Sequence, residues 1–358
     1  AGGAGVMKLD AKASRMLWHR ELSARCHRVD AADDGTAVVL ADDSPIGKAD
    51  GKGARVGVLS ADGRPMADWS GHRKTFDVCI HAPSRTIIEI GWRQANCWDG
   101  KHTYPVQIAY IRGRDYRGQT KGTDYDWSPD RNSERFLNKP TNNMADTRGY
   151  RCSIGGDGKL YAAFESAGGN HIFRYDPHEV TVKANVVGGD KYHQFYNTRA
   201  EHKTVFGRYD AATGDAELIQ QFCGRLSSGR GNAVRVKGGQ IVADAAGRVY
   251  LTGTSAYGLP LSYNPPGTGD YTGGGFVLVM SPDLKQRLLC TRMLGGKGET
   301  HAAGVGIVEG CARVAIGGSG MQVIRTEGGE TLQMHTVEPV QEELRGKKDG
   351  FAAVIELE

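Results

Sequence analysis

The stretch Val242–Ser255 (VADAAGRVYLTGTS) constrains the fold most, because its pattern recurs down the chain. It reads as a short apolar strand, a tight Asp/Gly turn and a β-branched, aromatic strand. The same grammar returns at Val29–Asp42, Ile80–Trp92, Ser153–Ser166 and Gly306–Ser319. Self-similarity at a period of tens of residues decides architecture before any local assignment does. Between these pairs lie further hairpin patterns at Gly5–Leu22, Arg55–Trp69, Thr204–Phe222 and Phe276–Cys290, and an alternating strand at Phe351–Glu358. Each unit therefore runs strand a, turn, strand b, long connection, strand c, turn, strand d, with no helical periodicity between.

Four antiparallel strands per repeat is the sequence form of a propeller blade. A blade cannot bury both faces alone, so several must pack radially. The expectation is an all-β fold: a single β-propeller domain over residues 1–358, with five four-stranded blades (six or seven being the alternatives). The N- and C-terminal strands are expected to close the ring. The 51 glycines suit a turn-rich chain of this kind.

Two longer stretches carry a resemblance. ADAAGRVYLTGTSAYGLPL (243–261) and GGGFVLVMSPDLKQRLLCTRMLGG (273–296) resemble the bacterial β-propeller repeat often called SBBP, and VMKLDAKASRMLW (6–18) is similar to its second half. The likeness covers both ends of the chain, about half its length, while 93–203 departs from it. It implies a propeller fold and a secreted, periplasmic or cell-surface bacterial protein, and it implies no activity.

The a–b turns are short, and the long insertions, at 93–105, 115–148, 167–203, 256–274 and 320–350, fall in b–c and d–a connections. In a propeller those connections emerge on one face, so binding is expected there. The leading reading is a binding or assembly module that uses the loop-rich face to engage a glycan or a surface protein. Candidate ligand-binding residues are Trp98, His102, Tyr104, Trp127, Arg148, Tyr150, His171, Tyr192 and His202. Aromatics stack on sugar rings, and Arg holds a carboxylate or sulfate with two parallel hydrogen bonds.

The alternative is a carbohydrate-active enzyme, a polysaccharide lyase before a glycoside hydrolase. There His193 and Tyr196 would serve as base and acid, and Arg199 would grip the uronate. A third reading is a structural subunit that forms homo-oligomers or polymers through an unpaired strand edge. Asp124, Asp126 and Asp130 form a sparse carboxylate run suited to structural calcium, and no other cofactor is expected.

A net charge of +4, from 45 basic and 41 acidic side chains spread along the chain, gives no basic footprint for nucleic acid. No apolar run approaches the ~20 residues of a membrane span. The seven cysteines form no CxxC or other metal signature. Cys26, Cys79 and Cys152 read as buried thiols near first strands, with disulfides open to an exported protein. The start at Ala1–Gly5, without Met, reads as a processed terminus or a cloning remnant.

Overall fold

The computed structural model describes residues 4–10, 12, 14–22, 25–42, 54–72, 74–98, 102–125, 145–178, 182–194, 202–264, 270–292, 301–307, 313–320, 323–325, 331–333 and 349–356. A hairpin of β1 (Ala4–Leu9) and β2 (Met16–Leu22) precedes the first blade. That blade is β3 (Cys26–Ala31), β4 (Ala37–Asp42), β5 (Ala54–Leu59) and β6 (Pro65–Ser70), paired in sequence order. The second is β7 (Thr75–His81), β8 (Thr86–Trp98), β9 (Thr103–Asp115) and β10 (Thr120–Asp124). The third is β11 (Thr147–Ile154), β12 (Leu160–Ser166), β13 (Lys203–Tyr209) and β14 (Ala216–Phe222).

After a short pair, β15 (Gly224–Arg225) and β16 (Gly231–Asn232), the fourth blade has a first strand split into β17 (Val234–Arg235) and β18 (Ile241–Ala243). Both pieces pair with β19 (Val249–Ala256), and β20 (Gly273–Met280) and β21 (Arg287–Arg292) complete the sheet. Near the C-terminus, β22 (His301–Ile307) and β23 (Arg313–Gly320) pair with each other. A small hairpin of β24 (Val323–Arg325) and β25 (Thr331–Gln333) follows, and β26 (Asp349–Glu356) then adds to β23.

Packing makes these sheets blades. The first strand of each lies against the first strand of the next: β3 on β7, β7 on β11, β11 on β18 and β18 on β22. Side chains alternate accordingly. On β12, Leu160, Ala162 and Phe164 face the second blade, whereas Tyr161 and Ala163 face the fourth. On β4, Val38 and Leu40 face the second blade, and Ala37 and Val39 face the β1–β2 hairpin through Val6 and Trp18. Central strands such as β12 and β20 are consequently buried at every position, because a blade is covered on both sides. The β1–β2 hairpin thus occupies the flank that a preceding blade would cover.

Local chemistry sets the turns. In the Val242–Ser255 unit, Asp244 accepts from the Arg248 N–H at 2.9 Å, from Arg248 Nε at 2.6 Å and from the Tyr250 hydroxyl at 2.9 Å. Gly247 closes the turn at φ +79°, in the left-handed region that costs glycine least. In the third blade Gly155 holds the position of Asp244, and Asp157, inside the turn, accepts instead from the Lys159 N–H at 3.1 Å and the Tyr161 hydroxyl at 2.7 Å.

One expectation changes. Residues 93–98 and 103–105 are strand rather than irregular loop: β8 and β9 stay in antiparallel register from Thr86↔Asp115 out to Trp98↔Thr103. The b–c insertion is a long hairpin because its own backbone groups pair with each other as it extends. Among the described residues β1–β2 and β22–β23–β26 are separate sheets. Among the described residues no helix is long and apolar enough to cross a membrane.

Candidate functional site

The first strands place charged side chains at the axis, and three of those side chains bridge blades. Asp30 on β3 accepts the Ile80 N–H of β7 at 2.9 Å. Asp77 on β7 accepts the Cys152 N–H of β11 at 3.1 Å, as well as the Val78 N–H at 3.0 Å. Arg151 on β11 donates to the carbonyls of Lys237 and Gly239, ahead of β18. Side chain to backbone, each of the first three blades is tied to its successor.

Beside these links lies a cavity of about 240 Å³ lined by His27, Arg28, Val29, Asp30, Asp77, Val78, Cys152, Ser153 and Gln240. Its walls come from the first strands of three blades, with Gln240 from the edge of the fourth. Arg28 Nε lies 3.5 Å from Asp77 Oδ1. Burial pushes the Asp77 carboxyl up to about 6 despite the Arg151 and Arg28 guanidiniums, and burial also raises Asp30. The Ser153 hydroxyl is buried without a protein hydrogen-bond partner. A polar wall with an unsatisfied hydroxyl suits a ligand that both donates and accepts hydrogen bonds. Sequence reading missed this site because its residues come from four units, each unremarkable alone.

The residues expected from sequence divide into groups. Arg148, Tyr150 and His202 do converge, around Glu165. Glu165 is buried, accepts the Val236 and Lys237 N–H groups at 3.2 Å each, and lies 3.6 Å from His202 Nδ1. Tyr150 packs edge-on against Phe76 at 4.9 Å, and burial beside Glu165 pushes its hydroxyl up to about 12. Arg148 donates to the Gln107 side chain and lies over Trp92 at 6.0 Å.

His171 and His193 are interior. His171 is fully buried against Phe173 at 5.5 Å, which holds it well below the usual histidine range. His193 Nδ1 bonds the Gln221 carbonyl at 2.7 Å, its ring packs on Phe222 at 5.7 Å, and burial pushes it down to about 4. Both rings are neutral packing elements of the third blade. Tyr192 is half-buried under Arg287, whose guanidinium is 5.4 Å from the ring. His102 and Tyr104 are exposed, edge-to-face at 6.1 Å, near the tip of the β8–β9 hairpin. Trp98 ends β8 opposite Thr103. Trp127, Tyr196, Arg199, Asp126 and Asp130 lie outside the described residues.

Asp124 acquires neighbours that its sequence run did not announce. His178 lies between Asp124, at 3.5 Å, and Asp215, at 3.1 Å. Burial, then the Asp215 and Asp176 carboxylates, push Asp124 up to about 8. A Cβ at Gly214 would collide with the Asp124 carboxylate, so the β13–β14 turn approaches this closely only with glycine there. Among the described residues no group of His, Cys, Asp and Glu is arranged to hold a metal ion.

The sign of the Asp124 linkage follows directly. The folded chain keeps this proton to about pH 8, whereas the unfolded chain releases it near 3.8. Its stabilising contribution is therefore complete at low pH and is lost as pH rises through that window. Asp124→Asn, which mimics the protonated acid, is expected to stabilise the protein at pH 8 by roughly 1–3 kcal/mol. It should also flatten the pH dependence of urea midpoints between pH 5 and 8. An unchanged midpoint and slope would remove Asp124 from the account.

No family model matches the sequence, and no curated protein matches it. Among solved structures, the chain is similar to a protein of unknown function from Bacteroides caccae, at 9% identity and TM-score 0.37, over 88% of this chain and 80% of that one. It is similar to the β-propeller domain of the trilobed protease from Pyrococcus furiosus, at 10% identity and TM-score 0.35, over 95% and 89%. It is also similar to a DUF4221 family member from Bacteroides vulgatus, at 9% identity and TM-score 0.37, over 94% and 79%. The β-propeller architecture rests on this chain's own strand order and blade-to-blade packing.

Proposed function

We propose that this protein is a binding module, acting outside the cell or at its surface, that recognises a glycan through the axis of the propeller. The carrying observation is the cavity wall: Arg28, Gln240 and Ser153 supply donors, Asp30 supplies an acceptor, and Val29 and Val78 supply apolar surface. That mixture suits a sugar ring, whose hydroxyls both donate and accept and whose C–H faces are apolar. The volume of about 240 Å³ fits one sugar residue rather than a chain. The exposed His102–Tyr104 pair supports a second contact, with the remainder of a glycan or with a surface protein carrying it. Lyase chemistry gains no support from His193, whose ring is buried at 3% exposure and engaged by a carbonyl.

The test is a glycan array followed by titration calorimetry with the best monosaccharide or terminal disaccharide. The double variant Ser153→Val/Gln240→Leu is expected to weaken binding at least about tenfold, as lost hydrogen bonds to a buried polar ligand do, while leaving the thermal midpoint within about 2 °C. Binding that survives this variant unchanged, or no binding across neutral and acidic glycans, overturns the proposal.

A further inference from the structure

We propose that Cys79 and Cys152 are the two halves of a cross-blade disulfide, open in the reduced protein and closed by thiol–disulfide exchange. Cys79 sits on β7 and Cys152 on β11, first strands of neighbouring blades that pack directly on each other. Asp77, two residues before Cys79, accepts the N–H of Cys152 at 3.1 Å and so holds the two strands together at this point. Both cysteines are free and buried in the one packing cluster that fills the space between these two blades.

The other described cysteines have different surroundings. Cys26 Sγ donates to the Arg28 carbonyl at 3.4 Å, Cys223 Sγ to the Tyr192 carbonyl at 3.6 Å, and Cys290 lies in the cluster between the third and fourth blades. Among the described cysteines, one packing cluster alone contains two of them.

Cys152 is one of the residues lining the cavity, while its thiol lies in the core cluster, so exchange proceeds when the two strands open locally beside the cavity. The Cys152 thiolate attacks one sulfur of a small disulfide such as oxidised glutathione, forming a mixed disulfide and expelling one thiolate. Cys79, deprotonated in turn, attacks the Cys152 sulfur and expels the second. Two electrons pass to the reagent, which leaves as two thiols carrying the two protons. Burial raises both cysteine thiols, so exchange is slow at neutral pH and quickens with alkalinity. The bond encloses β8, β9 and β10 within a loop of roughly 70 residues, so it constrains the unfolded chain strongly. It fastens the second blade to the third where Asp77 already links them. None of this depends on what the cavity binds.

The experiment oxidises the full-length chain with excess oxidised glutathione at pH 8, alkylates it under denaturing conditions, and maps unreduced peptides by mass spectrometry. The expected result is a Cys79–Cys152 linked peptide and a loss of two titratable thiols relative to the reduced protein. The thermal midpoint should rise on the order of 5 °C. Cys79→Ser should abolish both changes, whereas Cys26→Ser should keep them. Full alkylation of Cys79 and Cys152 after oxidation overturns the proposal, and so does a link from either to another cysteine. Both readouts come from the parent protein, so the result stands even if Cys79→Ser does not fold.

Discussion

Replacing Asp77 by alanine is expected to destabilise the protein by about 2–4 kcal/mol, read from urea unfolding at pH 7. The carboxylate accepts the Cys152 and Val78 N–H groups, and both donors would be left buried without it. Arg28, 3.5 Å away, and the buried Arg151 would lose their neighbouring negative charge. Asp77→Asn keeps an acceptor and should cost less. The pH dependence separates the two effects. The folded chain holds the Asp77 proton to about pH 6, and the unfolded chain releases it near 3.8. This group's contribution therefore declines as pH rises between those values, and Asp77→Asn should remove that decline. An Asp77→Ala variant as stable as the parent would mean that the inter-blade bond contributes nothing.

Phe164→Ala should cost about 3–5 kcal/mol, the range for emptying a large buried aromatic site. Phe164 is fully buried on β12 and meets Phe173 at 4.4 Å, with Tyr209 at 6.4 Å and Tyr125 at 6.5 Å. Those partners come from the second blade's end, the 167–203 insertion and β13, so the cavity left by alanine cannot collapse without moving all three. Phe164→Leu should cost less than about half as much. Equal midpoints for the alanine variant and the parent would show that the second and third blades do not share this core.

Both sites show the limit of a sequence reading. Tight turns such as Asp244–Arg248 are legible because Asp, Gly and the following Tyr meet within seven residues. The strand pairs of four blades are legible for the same reason, since alternation and turn chemistry are local. The burial of His171 and His193 is not local. Their position within a polar, aromatic stretch matched a solvent-facing loop, yet the insertion folds back and packs their rings on Phe173 and Phe222. Arg148 and Tyr150 border the third strand pair in sequence, but Glu165, which gathers them with His202, sits inside an apolar run and carries no local signal.

By itself, then, the sequence determined the unit: two hairpins, turned by Asp and Gly, with faces assigned by alternation. Tertiary structure alone decided what meets between units. Asp30 reaches Ile80, Asp77 reaches Cys152, and Asp124 meets Asp215 across His178. Hairpin pairing spans a few residues and obeys backbone geometry that each segment carries with it. Contacts between blades span tens of residues and depend on how neighbouring sheets are spaced and rotated, which the packing of whole faces sets and no single segment encodes.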